Sequence, residues 1–330
     1  MRKSILSALA LLLIGPTVDI VAVEAKKRGV DVTSGEISAD SLLQEADAAF
    51  KAQHHSTALE QYQEALKAAR NEFNNSIEVE ALAQIARTYL VLGNREEGWL
   101  SLTDAEAKAT DSDPMGWSRY LSVKGRYQWK DGDLKAAAKT FDAMYTYCNV
   151  NALWGRAVDA ANMLSIVLET PEEQIEWSQR GIRAAEAGGE ESWLGPLWNN
   201  LAVVYYETKK YDSAVQGFLK AREYHWRFSG ELAKLFADYH LGMAYRAAGD
   251  LAEAQKWLRP TLAWAERLEN HSIMGQALED LGEIEIANGN QTTGLKMLRR
   301  ARDEYQLEEF DKAWPEIWEA INKRIRELGG

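Results

Sequence analysis

The stretch "LWNNLAVVYYETKKYDSAVQGFLKA", residues 197–221, decides how this chain folds. Its small residues Ala202, Ala214 and Ala221 alternate with bulky Trp198, Leu201, Tyr205 and Phe218 at spacings of three and four. That is the period of a helix with one buried face. Two polar residues, Asn199 and Asn200, sit inside the apolar pattern and are not explained by it. With Ala202 as a marker, Tyr205 lies three residues on, Ala214 twelve, Phe218 sixteen and Ala221 nineteen.

The same offsets recur along the chain. Gly242 is followed by Tyr245, Ala254, Leu258 and Thr261, and Gly282 by Glu285, Gly294, Leu298 and Ala301. Toward the amino terminus, Ala86 leads to Tyr89, Gly98, Leu102 and Ala105. Gly125 leads to Gln128, Ala137, Phe141 and Met144, and Ala46 to Ala49, Ala58, Tyr62 and Ala65. A weak copy centres on Asn162 or Ala161, with Gly181 at the last offset. The period is close to forty residues, which marks a repeat array. β-branched runs of period two are missing, so the expected class is all-α.

Turn chemistry agrees with the offsets. "LGNREE", "KDGDLK", "AAGDLAE" and "ANGNQT" each place Gly before Asn or Asp. Glycine ends the first helix of a pair in a left-handed conformation, and Asn94, Asp133, Asp250 or Asn290 is expected to cap the second. In the weak copy, Thr170, Pro171 and Glu173 supply the cap, the first helical position and a capping-box partner. Small residues at the marker and twelve later let two antiparallel helices approach closely. A lone hairpin cannot bury both faces, so neighbouring copies must stack. The last segment, "DKAWPEIWEAINKRIRELGG", lacks the hairpin pattern. It presents Trp314, Ile317, Trp318, Ile321 and Ile325 at helical spacing, as a capping helix would.

At this point the sequence resembles the tetratricopeptide repeat family. "WNNLAVVY" with "YDSAVQGFLKA", and "DYHLGMAY" with "GDLAEAQKWL", carry its aromatic, Leu–Gly, Tyr and Ala–Phe–Ala positions. The resemblance spans roughly residues 40–305. It departs from the family in its longer period and in lacking most terminal prolines, although Pro260 lies near the second helix of the sixth copy. It implies an α-solenoid of about seven antiparallel hairpins, a right-handed superhelix, with a capping helix over 306–330.

Before that array, "MRKSILSALALLLIG" sets Arg2 and Lys3 ahead of an apolar run from Ile5 to Ile14. The run has the length of a signal-peptide core and is too short to span a bilayer. Residues 1–25 are read as a cleaved export signal with cleavage points near Ala22 or Ala25, and no cysteine follows for a lipid anchor. Residues 26–39 form a polar linker, and the expected location is the periplasm or the outside of the cell. A net charge of −12 argues against a nucleic-acid partner and against attraction to anionic membranes, and no stable membrane insertion is expected after signal removal. Cys148 is the single cysteine, so neither an intramolecular disulfide nor a cysteine metal site is available.

The resemblance also implies that first helices line a concave groove. The positions six and three before the marker, and one and four after it, share one helix face. Along these rows stand Arg87, Arg119, Arg126 and Arg156, a basic cluster, with Trp129 beside it. Asn199, Tyr206, Phe236, Tyr239 and Met243 form a polar–aromatic patch next to Arg246, and Glu279 and Glu283 make an acidic end. The expectation is a groove that holds a protein or extended peptide segment, its acidic end toward the arginines. The alternative is a sensor that closes around a small molecule or signalling peptide. Capture of a chaperone's terminal carboxylate is not expected, because the row three before the marker has no lysine. The five histidines, His54, His55, His225, His240 and His271, are scattered, and no hydrolase, nucleotide-binding or metalloprotease motif occurs. No catalytic residue, metal or cofactor is therefore assigned.

Overall fold

The structure, a computed structural model, describes residues 37–329. The signal segment and most of the polar linker lie outside the described residues. Sixteen α-helices and one short 3-10 turn account for the described chain. Fourteen of the helices form seven consecutive hairpins, the number of copies read from the period.

The described chain divides after Asn200 into two compact units. The N-terminal unit begins with α1 (Ala39–Lys51) and α2 (His55–Asn71). Next come α3 (Asn75–Leu92) and α4 (Arg95–Lys108), then α5 (Pro114–Lys130) and α6 (Leu134–Val150). The fourth pair is α7 (Trp154–Val167) and α8 (Pro171–Gly188). Helix α9 (Leu194–Glu207) gives its first half to this unit and its second half to the next.

In the N-terminal unit the seam is the one the small residues define. Ala46, Ala58, Ala86, Ala137 and Ala161 are fully buried. A Cβ on Gly98 would lie 2.9 Å from the Ala86 carbonyl oxygen, so the two backbones touch where the marker and the twelfth residue meet. Tyr62 and Phe141, sixteen beyond their markers, are buried beside this contact. The weak fourth copy is a real hairpin. Thr170 accepts from the Glu173 amide and donates to its carboxylate, which starts α8 without a glycine turn.

The C-terminal unit holds α10 (Tyr211–Phe228), α11 (Glu231–Ala248), α12 (Leu251–Arg267), α13 (His271–Ala287) and α14 (Gln291–Leu307). Here a Cβ on Gly294 would sit 2.6 Å from the Gly282 carbonyl oxygen, the same seam in the seventh copy. The chain then forms a one-turn helix, α15 (Phe310–Ala313), and α16 (Pro315–Glu327). Ile321 and Ile325 of α16 are buried with Leu298, Ala301, Tyr305 and Phe310. Burying each isoleucine stabilises by about 1.5–3 kcal/mol. The last hairpin thus has its open face covered.

The turns follow the predicted chemistry with two differences. Gly93, Gly132, Gly249 and Gly289 adopt φ of 83°, 80°, 88° and 85°. Asp133 and Asp250 cap their helices by accepting from the Ala136 and Glu253 amides. Asn94 and Asn290 make no such bond, and Asn290 donates to Glu285 instead. In copies one and five, which lack the glycine, Gln53 and Lys209 take the left-handed conformation themselves, at φ 63° and 61°.

Candidate functional site

Within each unit, successive first helices bring the four rows together, and the rows differ sharply in exposure. The row four after the marker, Phe50, Leu90, Trp129, Ile166, Tyr206, Arg246 and Ile286, is half-buried in every copy. The other rows are largely interior. Met163, Val203 and Met243 are buried, as are Leu43, Ala83 and Tyr239.

In the N-terminal unit the basic cluster is threaded with acids. Arg119 on α5 reaches Asp47 on α1 at 3.1 Å and Glu80 on α3 at 3.4 Å. Arg156 on α7 pairs with Glu80 at 2.6 Å and donates to Ser118 at 2.6 Å and to the Met115 carbonyl. Arg126 pairs with Asp159 at 2.7 Å and donates to Ser122 at 2.5 Å. Arg126 and Arg156 are only 5% and 6% exposed, and Glu80 is 0% exposed. The sequence places these arginines on an open surface, and the structure puts two of them inside, each with a carboxylate. Small Ser118 and Ser122 on α5 leave room for the guanidinium groups to lie across that helix.

The electrostatics follow from these pairs. Burial alone would raise Asp47, but Arg119 and hydrogen bonds from Tyr62 and Gln84, both at 2.5 Å, hold it below the usual carboxylate range. Asp159 is held down in the same way by Arg126, Arg87 and Ser122, against the burial that would raise it. Arg87 is different. Its guanidinium lies 4.7 Å from the centre of the Phe50 ring, and it makes no ion pair or hydrogen bond among the described residues. Burial, then repulsion from Arg126, lowers Arg87 to about 10.

In the same unit the asparagine question is partly answered. Asn200 donates to the Asn162 side chain at 2.8 Å, tying the fifth copy's first helix to the fourth's. Asn199 is 2% exposed, so it too is an interior residue.

The C-terminal unit carries the acidic cluster. Phe236, Tyr239 and Met243 are buried in its core, where the sequence reading sets them on the groove wall. Arg246 pairs with Asp280 at 2.7 Å, and that ion pair raises the arginine further. Glu279 accepts from the Tyr305 hydroxyl at 2.7 Å. Burial, with Asp280 adding to it and the tyrosine bond opposing, pushes Glu279 up to about 7. Glu283 receives both Arg324 nitrogens of α16, at 2.7 and 2.9 Å. Tyr206 stays half-buried against Tyr211.

Sequence reasoning missed three groups that organise these clusters. Glu80 stands six before its marker, on the same row as Arg119 and Arg156, so its signal was present in the offsets. Asp280 stands two before its marker and falls outside all four rows. Tyr305 lies on a second helix, where no row was drawn. Among the described residues, no three His, Cys, Asp or Glu side chains converge as a metal site. No helix among them is long and apolar enough to cross a membrane.

No family model and no curated protein matches the sequence. Solved structures do match. A signal-transduction ATPase with a tetratricopeptide repeat sensor from Pyrococcus horikoshii superposes with a TM-score of 0.69 at 16% identity. The match covers 87% of this chain and 44% of that protein, so the chain spans less than half the length of that relative. The apo form of RapI gives 0.63 at 14% identity, over 81% of this chain and 76% of that one. The fold is that of the tetratricopeptide-repeat proteins. A tetratricopeptide repeat protein from Parabacteroides merdae matches over 88% of this chain and 99% of its own, with a TM-score of 0.50 and 14% identity. At such identities the likeness fixes the all-α tetratricopeptide-like solenoid and leaves its use to the side chains.

Proposed function

We propose that the chain is an exported, non-catalytic scaffold that holds a segment of another protein against the first helices of its hairpins. One observation carries this reading: the row four after the marker keeps one large side chain half-exposed on every first helix. In the N-terminal unit that row is Phe50, Leu90, Trp129 and Ile166, all apolar and all on consecutive first helices. Large side chains repeated on one face and left partly in water provide the anchors of a binding surface. The net charge of −12 supports a protein partner over nucleic acid. Export is supported by Arg2 and Lys3 preceding the apolar run, and amino-terminal sequencing of the mature protein tests it.

Site-specific photo-crosslinking in cells tests the scaffold reading. A photoreactive residue at position 90, 129 or 166 is expected to trap one partner, and the same residue at exposed Leu100 on α4 is expected to trap none of it. Equal trapping at Leu100, or no trapping along the row, refutes the assignment. The sensor alternative takes support from the Pyrococcus horikoshii protein, whose repeats are described as a sensor. A large rise in melting temperature with small metabolites, and no trapped protein, would decide for it.

A further inference from the structure

We infer that Arg87 is the point at which the N-terminal unit takes a carboxylate from its partner: an aspartate or glutamate side chain flanked by apolar residues. The inference rests on the scaffold reading and narrows it to one side chain.

Charge balance in the cluster points to Arg87. Asp47, Glu80 and Asp159 are the carboxylates that pair with the arginines of this cluster, and each is already committed. Asp47 pairs with Arg119, Glu80 with Arg156 and Arg119, and Asp159 with Arg126. Four guanidinium groups therefore face three carboxylates, and the one left over is Arg87. Its position fits a ligand better than any of the paired arginines would. It is half-buried, so it is reachable from solvent yet partly out of the screening of water. The Phe50 ring 4.7 Å away fixes one face of the guanidinium plane. That leaves its edge, with the paired N–H donors, as the place for an incoming acceptor.

The guanidinium plane selects the ligand. Two parallel N–H groups match the two oxygens of a carboxylate in a forked pair. Phe50, Leu90 and Trp129 offer half-exposed apolar surface on the same unit, on the row that starts three residues beyond Arg87's own position. A segment that alternates an acidic with large apolar side chains satisfies both features. An incoming carboxylate also opposes the repulsion between Arg87 and its neighbours Arg126 and Arg119, which Asp159, already paired with Arg126, offsets only in part.

The test uses the mature protein with 15N-labelled arginine side chains and two probes. These are acetyl-Leu-Glu-Leu-amide and its glutamine counterpart, acetyl-Leu-Gln-Leu-amide. The glutamate probe is expected to shift the Arg87 Nε–H signal saturably and to bind at least roughly tenfold tighter than the glutamine probe, as a charge-assisted forked pair should. Arg87→Gln is expected to abolish that difference while its melting temperature holds or rises, since no ion pair or hydrogen bond within the chain is lost and the repulsion from Arg126 and Arg119 is removed. Equal binding of the two probes, or a silent Arg87 signal, overturns the inference. So does a shift with inorganic phosphate alone, which would assign a phosphoryl ligand instead. A melting temperature that falls in Arg87→Gln also overturns it, because it assigns Arg87 to the fold. Crosslinking at position 129 separates the two readings. A partner still trapped with a silent Arg87 leaves the scaffold standing, and no partner at all removes both.

Discussion

Removing the charge of Glu80 should unsettle the N-terminal unit more than any other single polar change. Glu80 is 0% exposed and accepts from Arg156 at 2.6 Å and Arg119 at 3.4 Å. In Glu80→Gln, four guanidinium groups face two carboxylates. Breaking a buried pair by removing one partner costs about 3–5 kcal/mol, because the other charge is left uncompensated. Here the lower end applies. Arg156 keeps Ser118 and the Met115 carbonyl, and Arg119 keeps Asp47 at 3.1 Å. A loss of about 3 kcal/mol, with a urea dependence of about 3 kcal/mol per molar, lowers the urea midpoint by about 1 M. Far-UV circular dichroism during urea titration reads this directly. The double variant Glu80→Leu with Arg156→Met removes both charges and should recover most of the loss, since an apolar pair of similar volume is tolerated in place of a buried ion pair. A single variant within about 1 kcal/mol of wild type, or a double variant no better than the single, refutes the reasoning.

Other outcomes follow from the same structure. Burial pushes His225 down to about 4, and burial together with the charge of His225 pushes His240 down to about 3. The unfolded chain then takes up protons that the folded one refuses, so stability is lost as pH falls below about 6.5. The slope is up to about 1.4 kcal/mol per pH unit for each histidine, and His240→Leu should flatten it between pH 4.5 and 6 in a pH series of urea melts. Glu279 works in the opposite sense. Raised to about 7 by burial, it lowers stability as pH climbs from its unfolded value, so Glu279→Gln should gain about 2 kcal/mol at pH 8 and almost nothing at pH 4. Gly275→Ala places a Cβ 2.5 Å from the Tyr305 ring, and calorimetry should show a loss of about 1–3 kcal/mol; Gly230→Ala meets open space and should be near neutral. Lys209→Gly relieves a left-handed residue and should raise stability by about 0.5–1 kcal/mol; a lower melting temperature would contradict that.

The fold was legible because close packing leaves a regular trace. Ala86 against Gly98, and Gly282 against Gly294, can touch only if no side chain intervenes, and small residues at fixed offsets record that requirement. The fourth copy was faint for a physical reason: its turn uses Thr170 and Pro171 in place of glycine, so the turn signal changed while the hairpin did not. The site was read less well. Offsets place a side chain on a helix face but say nothing of what the next helix puts opposite it. Arg126 and Arg156 read as groove-lining because their offsets put them on that face, and their burial depends on small Ser122 and Ser118 and on the acids Asp159 and Glu80. Phe236, Tyr239 and Met243 read as groove wall for the same reason. Arg87 alone kept the role of an uncommitted cation, and its row could not distinguish it from Arg126.

The ion pairs Arg119–Asp47 and Arg156–Glu80 have a bearing on how the array could change in evolution. Repeat proteins ordinarily gain or lose modules freely, because each module touches only the ones beside it. These two pairs each reach past an intervening hairpin, from the third copy to the first and from the fourth to the second. Duplicating or deleting a hairpin between them would strand a buried charge on each side of the cut. The first four copies are thereby locked in number and order, and lineages that lengthen or shorten this array should do so beyond the fourth hairpin.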